Sequence, residues 1–260
     1  MFFPPDDPFL QRLAEKASAL VADPSNIFKE AQDIKRLTHL ALYETFVYCD
    51  DSGSMVRHDD RSGENRFVKL KELVARIARV ATNIVPDDDL GIELHFINSP
   101  SPSPSKLEAA GIKRAMDAVT PGGGTKIGTN LRSKILVPYV YNLITPANPS
   151  PLKRPLLICI ITDGDPTERR DTLAQVITEC QQKLVNHGYE ETAVIFLLSQ
   201  IGTDKSATVF LRELGEIERL KEVLHCTADQ LDDKFRDFRV NKDGLELWLL
   251  ELLTRPIMED

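Results

Sequence analysis

The sequence predicts an α/β fold: a doubly wound, mostly parallel six-stranded sheet with helices on both faces, preceded by an N-terminal helical extension. Two observations carry this. Near-continuous apolar runs at Leu42–Cys49, Leu156–Thr162 and Thr192–Ile201 have the character of strands buried on both faces, and stripes of helical period lie between them. The chain also shows no repeat and no break in composition, so residues 41–260 are expected to form one domain, with residues 1–40 as the extension.

From Asp7 to about Leu40 two amphipathic helices are expected, the second starting near Ser25 with Phe28, Ala31, Ile34 and Leu37 at helical spacing. Leu42–Cys49 is rich in β-branched and aromatic residues and ends abruptly at Asp50, as suits a strand whose carboxyl end delivers side chains to a site. The polar stretch from Asp51 to Asn65 reads as a long loop. Phe67–Val85 carries Leu70, Leu73, Val74, Ile77, Val80, Ala81 and Ile84 on one helical stripe, and Pro86 stops it. Leu90–Ile97 reads as a strand.

The alternating serines and prolines of residues 98–105 predict an exposed connector that joins neither sheet nor helix. A helix over Lys106–Val119 leads to Gly122-Gly123-Gly124-Thr125, and another over Ile127–Leu143 contains Pro138, which should kink or break it. After Leu156–Thr162 come a helix over Arg169–His187, the strand Thr192–Ile201, a helix over Ala207–Glu222 and a short strand at Val223–Cys226. A closing helix over Gly244–Leu253 carries the single tryptophan, Trp248.

Composition narrows the function. Forty acidic against 32 basic residues give a net charge of −8, with no dense Lys/Arg cluster, which argues against nucleic acid as a partner. Cys49, Cys159, Cys180 and Cys226 are widely spaced, with no CxxC pair of zinc-site type; a reducing compartment fits them. The N-terminus lacks the basic start and apolar stretch of a signal peptide, and no run reaches membrane-spanning length. The cytoplasm is the expected location. Nothing in the sequence fixes an oligomeric state.

Three segments are expected to meet beyond the carboxyl ends of the strands, where ligands of doubly wound sheets sit. Asp50-x-Ser52-x-Ser54 offers a carboxylate and two hydroxyls on a turn at Gly53. Thr125 follows three glycines that permit close backbone approach, and Asp163 ends a buried strand. An all-oxygen set of modest charge suits Mg²⁺, with Mn²⁺ also suited and Ca²⁺ less so for lack of bidentate carboxylates. Asp51 and Asp165, beside these positions, read as solvated turn residues, and His58, Asp59 and Asp60 as ordinary loop residues on the same rim. His95 and His225 read as structural histidines in strands, and no serine, histidine and acid arrangement can be assembled from the sequence. The Gly-Lys-Ser/Thr order of a P-loop is absent around Thr125-Lys126, and Ser52 stands where a haloacid-dehalogenase-like phosphatase needs a second aspartate.

In these residues the chain resembles a von Willebrand factor type A (vWA) domain with an intact metal-ion-dependent adhesion site. The family pattern is DxSxS, a distant threonine in a glycine-rich loop, and an aspartate after a later buried strand; here these are Asp50/Ser52/Ser54, Thr125 and Asp163. The absent disulfides and the Gln200-Ile201-Gly202-x-Asp204 segment are similar to the intracellular branch that includes the copines and many fungal and protist proteins. The resemblance covers most of the chain from about Tyr43 and leaves the N-terminal helices outside. It implies that Ser52, Ser54 and Thr125 ligate a divalent ion through hydroxyls, while Asp50 and Asp163 bind it directly or through water. It further implies that one position is left for an Asp or Glu of a protein partner. A binding module is therefore expected rather than an enzyme; the alternative is an Mg²⁺-dependent hydrolase or phosphotransferase using the same site.

Overall fold

The computed structural model describes all residues except 1, 5, 59–62, 64, 146–150, 228–230, 232–233, 235–240 and 259–260. Six strands form one sheet in the order β3-β2-β1-β4-β5-β6. They are β1 (Glu44–Cys49), β2 (Ile92–Phe96), β3 (Lys106–Leu107), β4 (Leu156–Thr162), β5 (Val194–Gln200) and β6 (Leu224–Cys226). All neighbours run parallel except β3, which pairs antiparallel with β2 at the edge. The chain first builds outward from β1 to β2 and β3, then restarts at β4 on the other side of β1 and builds outward to β6. The order therefore reverses between β1 and β4, and side chains leaving the carboxyl ends of these two strands share one crevice.

Strand pleating makes both faces apolar. Val47, Cys49, Leu157, Cys159, Ile161, Ile195 and Leu197 enter one core, and the alternate residues Phe46, Tyr48, Ile158, Ile160, Phe196 and Leu198 enter the other. The first core is closed by α1 (Pro8–Ala22), α2 (Ala31–Ala41), α3 (Arg66–Ala81), α4 (Ala109–Ala118) and α8 (Lys242–Thr254). The second is closed by α5 (Ile127–Leu131) with the π-helix that continues it over Arg132–Tyr141, by α6 (Thr172–Asn186) and by α7 (Lys205–Gly215). Phe9, Leu13, Leu37 and Leu40 of α1 and α2 belong to the first core, and Arg154, before β4, ties this end down. Its guanidinium lies 4.5 Å from the Phe9 ring centroid and donates to the carbonyls of Ala41 and Tyr43.

Four local expectations change. The helix expected from Ser25 begins at Ala31, because Glu30 and Asp33 form a reciprocal capping box there. The helix expected from Lys106 starts at Ala109, and Lys106-Leu107 instead make the edge strand β3. The connector before it is not wholly outside the sheet either, since Leu94 N–H donates to the Ser105 carbonyl at 3.0 Å. Pro138 does not break its helix. The segment widens to π geometry, and Asn142 N–H bonds five residues back to Val137 O at 3.0 Å, so the missing proline N–H is absorbed by a changed register. Among the described residues no helix is long and apolar enough to cross a membrane.

Candidate functional site

The sheet ladder runs directly into the residues at its carboxyl edge. Asp50 N–H donates to Ile161 O at 2.9 Å and Ile201 N–H to Thr162 O at 2.9 Å, so the loops after β1, β4 and β5 leave a rigid edge. Asp50 is fully buried. Its Oδ1 accepts from Ser52 N–H at 2.8 Å and its Oδ2 from the Thr162 hydroxyl at 2.6 Å. Burial pushes the Asp50 carboxyl up to about 6; the neighbouring charge of Asp163 adds to the shift, and the hydrogen bonds from Ser52 and Thr162 oppose it.

From Ser52 a chain of polar groups leads across to β4. The Ser52 and Ser54 hydroxyls are 2.9 Å apart, and Ser54 donates to Asp163 Oδ1 at 2.7 Å. Asp163, also fully buried, uses its other oxygen, Oδ2, to accept from Arg66 Nη1 at 2.7 Å. Thr125 is held nearby through its backbone. Gly53 N–H donates to Gly123 O at 3.1 Å, Gly122 N–H to Asp51 O at 2.7 Å, and Thr125 N–H to the Thr167 hydroxyl at 2.9 Å. Two glycines make this approach possible: Gly123 has φ +81°, and a Cβ on Gly124 would lie 2.5 Å from Thr167 Oγ1.

Four of the five expected side chains, Asp50, Ser52, Ser54 and Asp163, thus share one hydrogen-bonded group, and the Thr125 loop is clamped against it by backbone contacts. Among the described residues no three His, Cys, Asp or Glu side chains converge on one point, so an ion at this edge would depend on hydroxyl oxygens. The donors present fit that demand: they are hard oxygens, and the two buried carboxylates carry more negative charge than the single guanidinium offsets.

Asp51 is not a solvated turn residue. It is fully buried and accepts from Asn98 N–H and Ser99 N–H, each at 2.7 Å, which fastens the loop after β2 to the turn after β1. Lys134 secures the same loop from the π-helix, its Nζ donating to the carbonyls of Phe96, Ile97, Asn98 and Ser99. Asp165 lies half-buried and accepts from Arg170 at 2.8 Å. His58 Nδ1 contacts Gly63 O at 2.7 Å; Asp59 and Asp60 lie outside the described residues.

Sequence reasoning passed over Arg66, Thr162 and Thr167. Thr162 left a signal, being the one polar residue at the end of an otherwise apolar strand, immediately before Asp163. Arg66 left none: an arginine opening a helix is ordinary, and only folding carries it to β4. A serine, histidine and acid grouping does form on β2, where His95 Nδ1 lies 2.7 Å from Ser101 Oγ and Nε2 lies 3.7 Å from Glu93 Oε2. The latter separation exceeds hydrogen-bond length, so the acid does not orient the ring as acyl transfer requires.

No protein-family model matches the chain, and no curated protein matches it. Among solved structures it is similar to the SpRpn10 VWA domain, with a TM-score of 0.46 and 14% identity over 74% of this chain and 92% of that one.

Proposed function

We propose that this chain is a vWA-like binding module that holds Mg²⁺, or Mn²⁺, at Asp50, Ser52, Ser54, Thr125 and Asp163 and through it captures an Asp or Glu of a partner protein. The observation that carries the reading is the Ser52–Ser54–Asp163 sequence of oxygens, at 2.9 and 2.7 Å, placed where the strand order reverses. When bound, the ion supplies a positive centre with room for one outside oxygen ligand.

The protein's own residues do the rest. The three hydroxyls are neutral donors, so they add no negative charge that would repel a partner's carboxylate. Thr162 and the Ser52 N–H hold the Asp50 carboxylate in place, and Asp51 and Lys134 fix the loop that borders the site. The hydroxyls and carboxylates at this edge read as a ligand set for an ion, which supports binding over hydrolysis or phosphoryl transfer. The free cysteines suit a reducing cytoplasm and the intracellular branch of the family.

Calorimetric titration of Mg²⁺ into the wild type and Asp50→Ala tests the assignment. Binding in the wild type and at least a tenfold loss in the variant are expected; equal affinity in both would overturn the site. Turnover of phosphate esters by the purified protein with Mg²⁺ would transfer the site to the enzyme class.

A further inference from the structure

Asp163 is shared between two directions. Its Oδ1 faces the hydroxyls through Ser54, whereas its Oδ2 is bound from behind by Arg66, the first residue of α3. Arg66 is 7% exposed and packs close to the loop after β5. Gly202 has φ +82°, and a Cβ there would lie 2.7 Å from Arg66 Nε, so the guanidinium occupies the space that any larger residue would need. Asp204, the N-cap of α7, also feels this charge: its carboxyl is held below the usual range chiefly by hydrogen bonds from Ser206 and Ala207, with Arg66 contributing. Asp50 differs. Both of its oxygens accept from neutral groups, Ser52 N–H and the Thr162 hydroxyl.

Around the hydroxyls, then, the buried carboxylates Asp50, Asp51 and Asp163 outnumber the one buried guanidinium, with Lys134 near Asp51. A cation placed by the reading above would be opposed by Arg66, and an incoming carboxylate would be favoured by it. We propose that Arg66 is a built-in counter-charge that weakens the site for the dication while strengthening its hold on the partner's carboxylate, a role that rests on the metal-site reading. Arg66 donates to the Asp163 oxygen other than the one that accepts from Ser54, so it is a positioning and charge-setting residue.

The test compares metal-free wild type, Arg66→Gln and Arg66→Lys by Mg²⁺ calorimetry. Each protein is then loaded with Mn²⁺ and titrated with acetate, and the broadening of the acetate methyl resonance reports carboxylate at the metal. Removing the positive charge should tighten Mg²⁺ by on the order of tenfold or more, and weaken acetate by a comparable factor. Arg66→Lys, which keeps the charge, should follow the wild type in both. A merely structural role would not move the two affinities in opposite directions. Unchanged or weaker Mg²⁺ binding by Arg66→Gln would overturn the inference and leave the metal site standing. If no form binds Mg²⁺ or Mn²⁺, the metal-site reading fails and takes the inference with it. Should Arg66→Gln not fold without metal, Arg66→Met is read by the same criteria, together with the rise in melting temperature on adding Mg²⁺, which should exceed that of the wild type.

Discussion

Two buried acid clusters on the same sheet are built differently. At the carboxyl ends of β1 and β4, both oxygens of Asp50 and both of Asp163 have donors, and one of those donors is the guanidinium of Arg66. On β2, Glu93 Oε2 and His95 Nε2 are buried 3.7 Å apart, and neither has a hydrogen-bond partner. The aromatic rings of Phe46 and Tyr139 surround His95, with centroids 5.8 and 5.3 Å away. In the first cluster every carboxylate oxygen has a donor, and the atom left without a partner is Arg66 Nε. The second is only partly satisfied, and leaving polar atoms unpaired in a low-dielectric interior costs stability. The two clusters therefore differ in how many donors meet the acids, not in how deeply the acids are buried.

The largest effect should come from breaking the cluster at β1 and β4. Asp163→Ala strands Arg66 as an unpaired buried cation, and urea unfolding of the metal-free protein should show a loss of about 3–5 kcal/mol. A loss below about 1 kcal/mol would mean that Arg66 reaches solvent and that the cluster is not closed.

Next in size is the dependence on pH. The Asp50 carboxyl is raised in the folded protein to about 6 from an unfolded value of 3.8. The unfolded chain therefore releases this proton first. The contribution to stability is fully present below pH 4 and is lost as pH rises through 6. Across that window the wild type without metal should lose on the order of 3 kcal/mol relative to Asp50→Asn, whose amide does not titrate. Parallel melting-temperature profiles for the two proteins between pH 4 and 7.5 would contradict the burial argument.

The smallest effect is expected on β2. Glu93→Gln removes a buried charge that lacks a full set of donors, so the change in unfolding free energy should stay within about 1 kcal/mol, in either direction. A loss as large as that of Asp163→Ala would erase the contrast between the clusters.

Legibility from sequence differed between the same two regions. The segment Tyr48–Ser54 and the end of β4 were readable because an apolar run that stops abruptly at an aspartate marks where a strand of a parallel sheet leaves the core at its carboxyl end. The surroundings of His95 were not. Its partner Ser101 lies in a Ser/Pro stretch that composition marks as an exposed connector, and only the pairing of Leu94 with Ser105 folds that stretch back over the strand. Asp51 misled for a related reason. Beside Gly53 it has the composition of an exposed turn, yet its carboxylate is buried by Asn98 and Ser99, more than forty residues away in the chain.

By itself the sequence determined the periodicities, and with them the parallel sheet, its two apolar faces and the oxygen-bearing residues at its carboxyl edge. These follow from side-chain direction along a strand or helix, a property of local geometry. The tertiary structure alone decided the charge of that edge. Arg66 reaches Asp163 across 97 positions of the chain, and Gly202 leaves the space it fills; such a pairing depends on how α3 and the loop after β5 stack against β4, which no local pattern encodes.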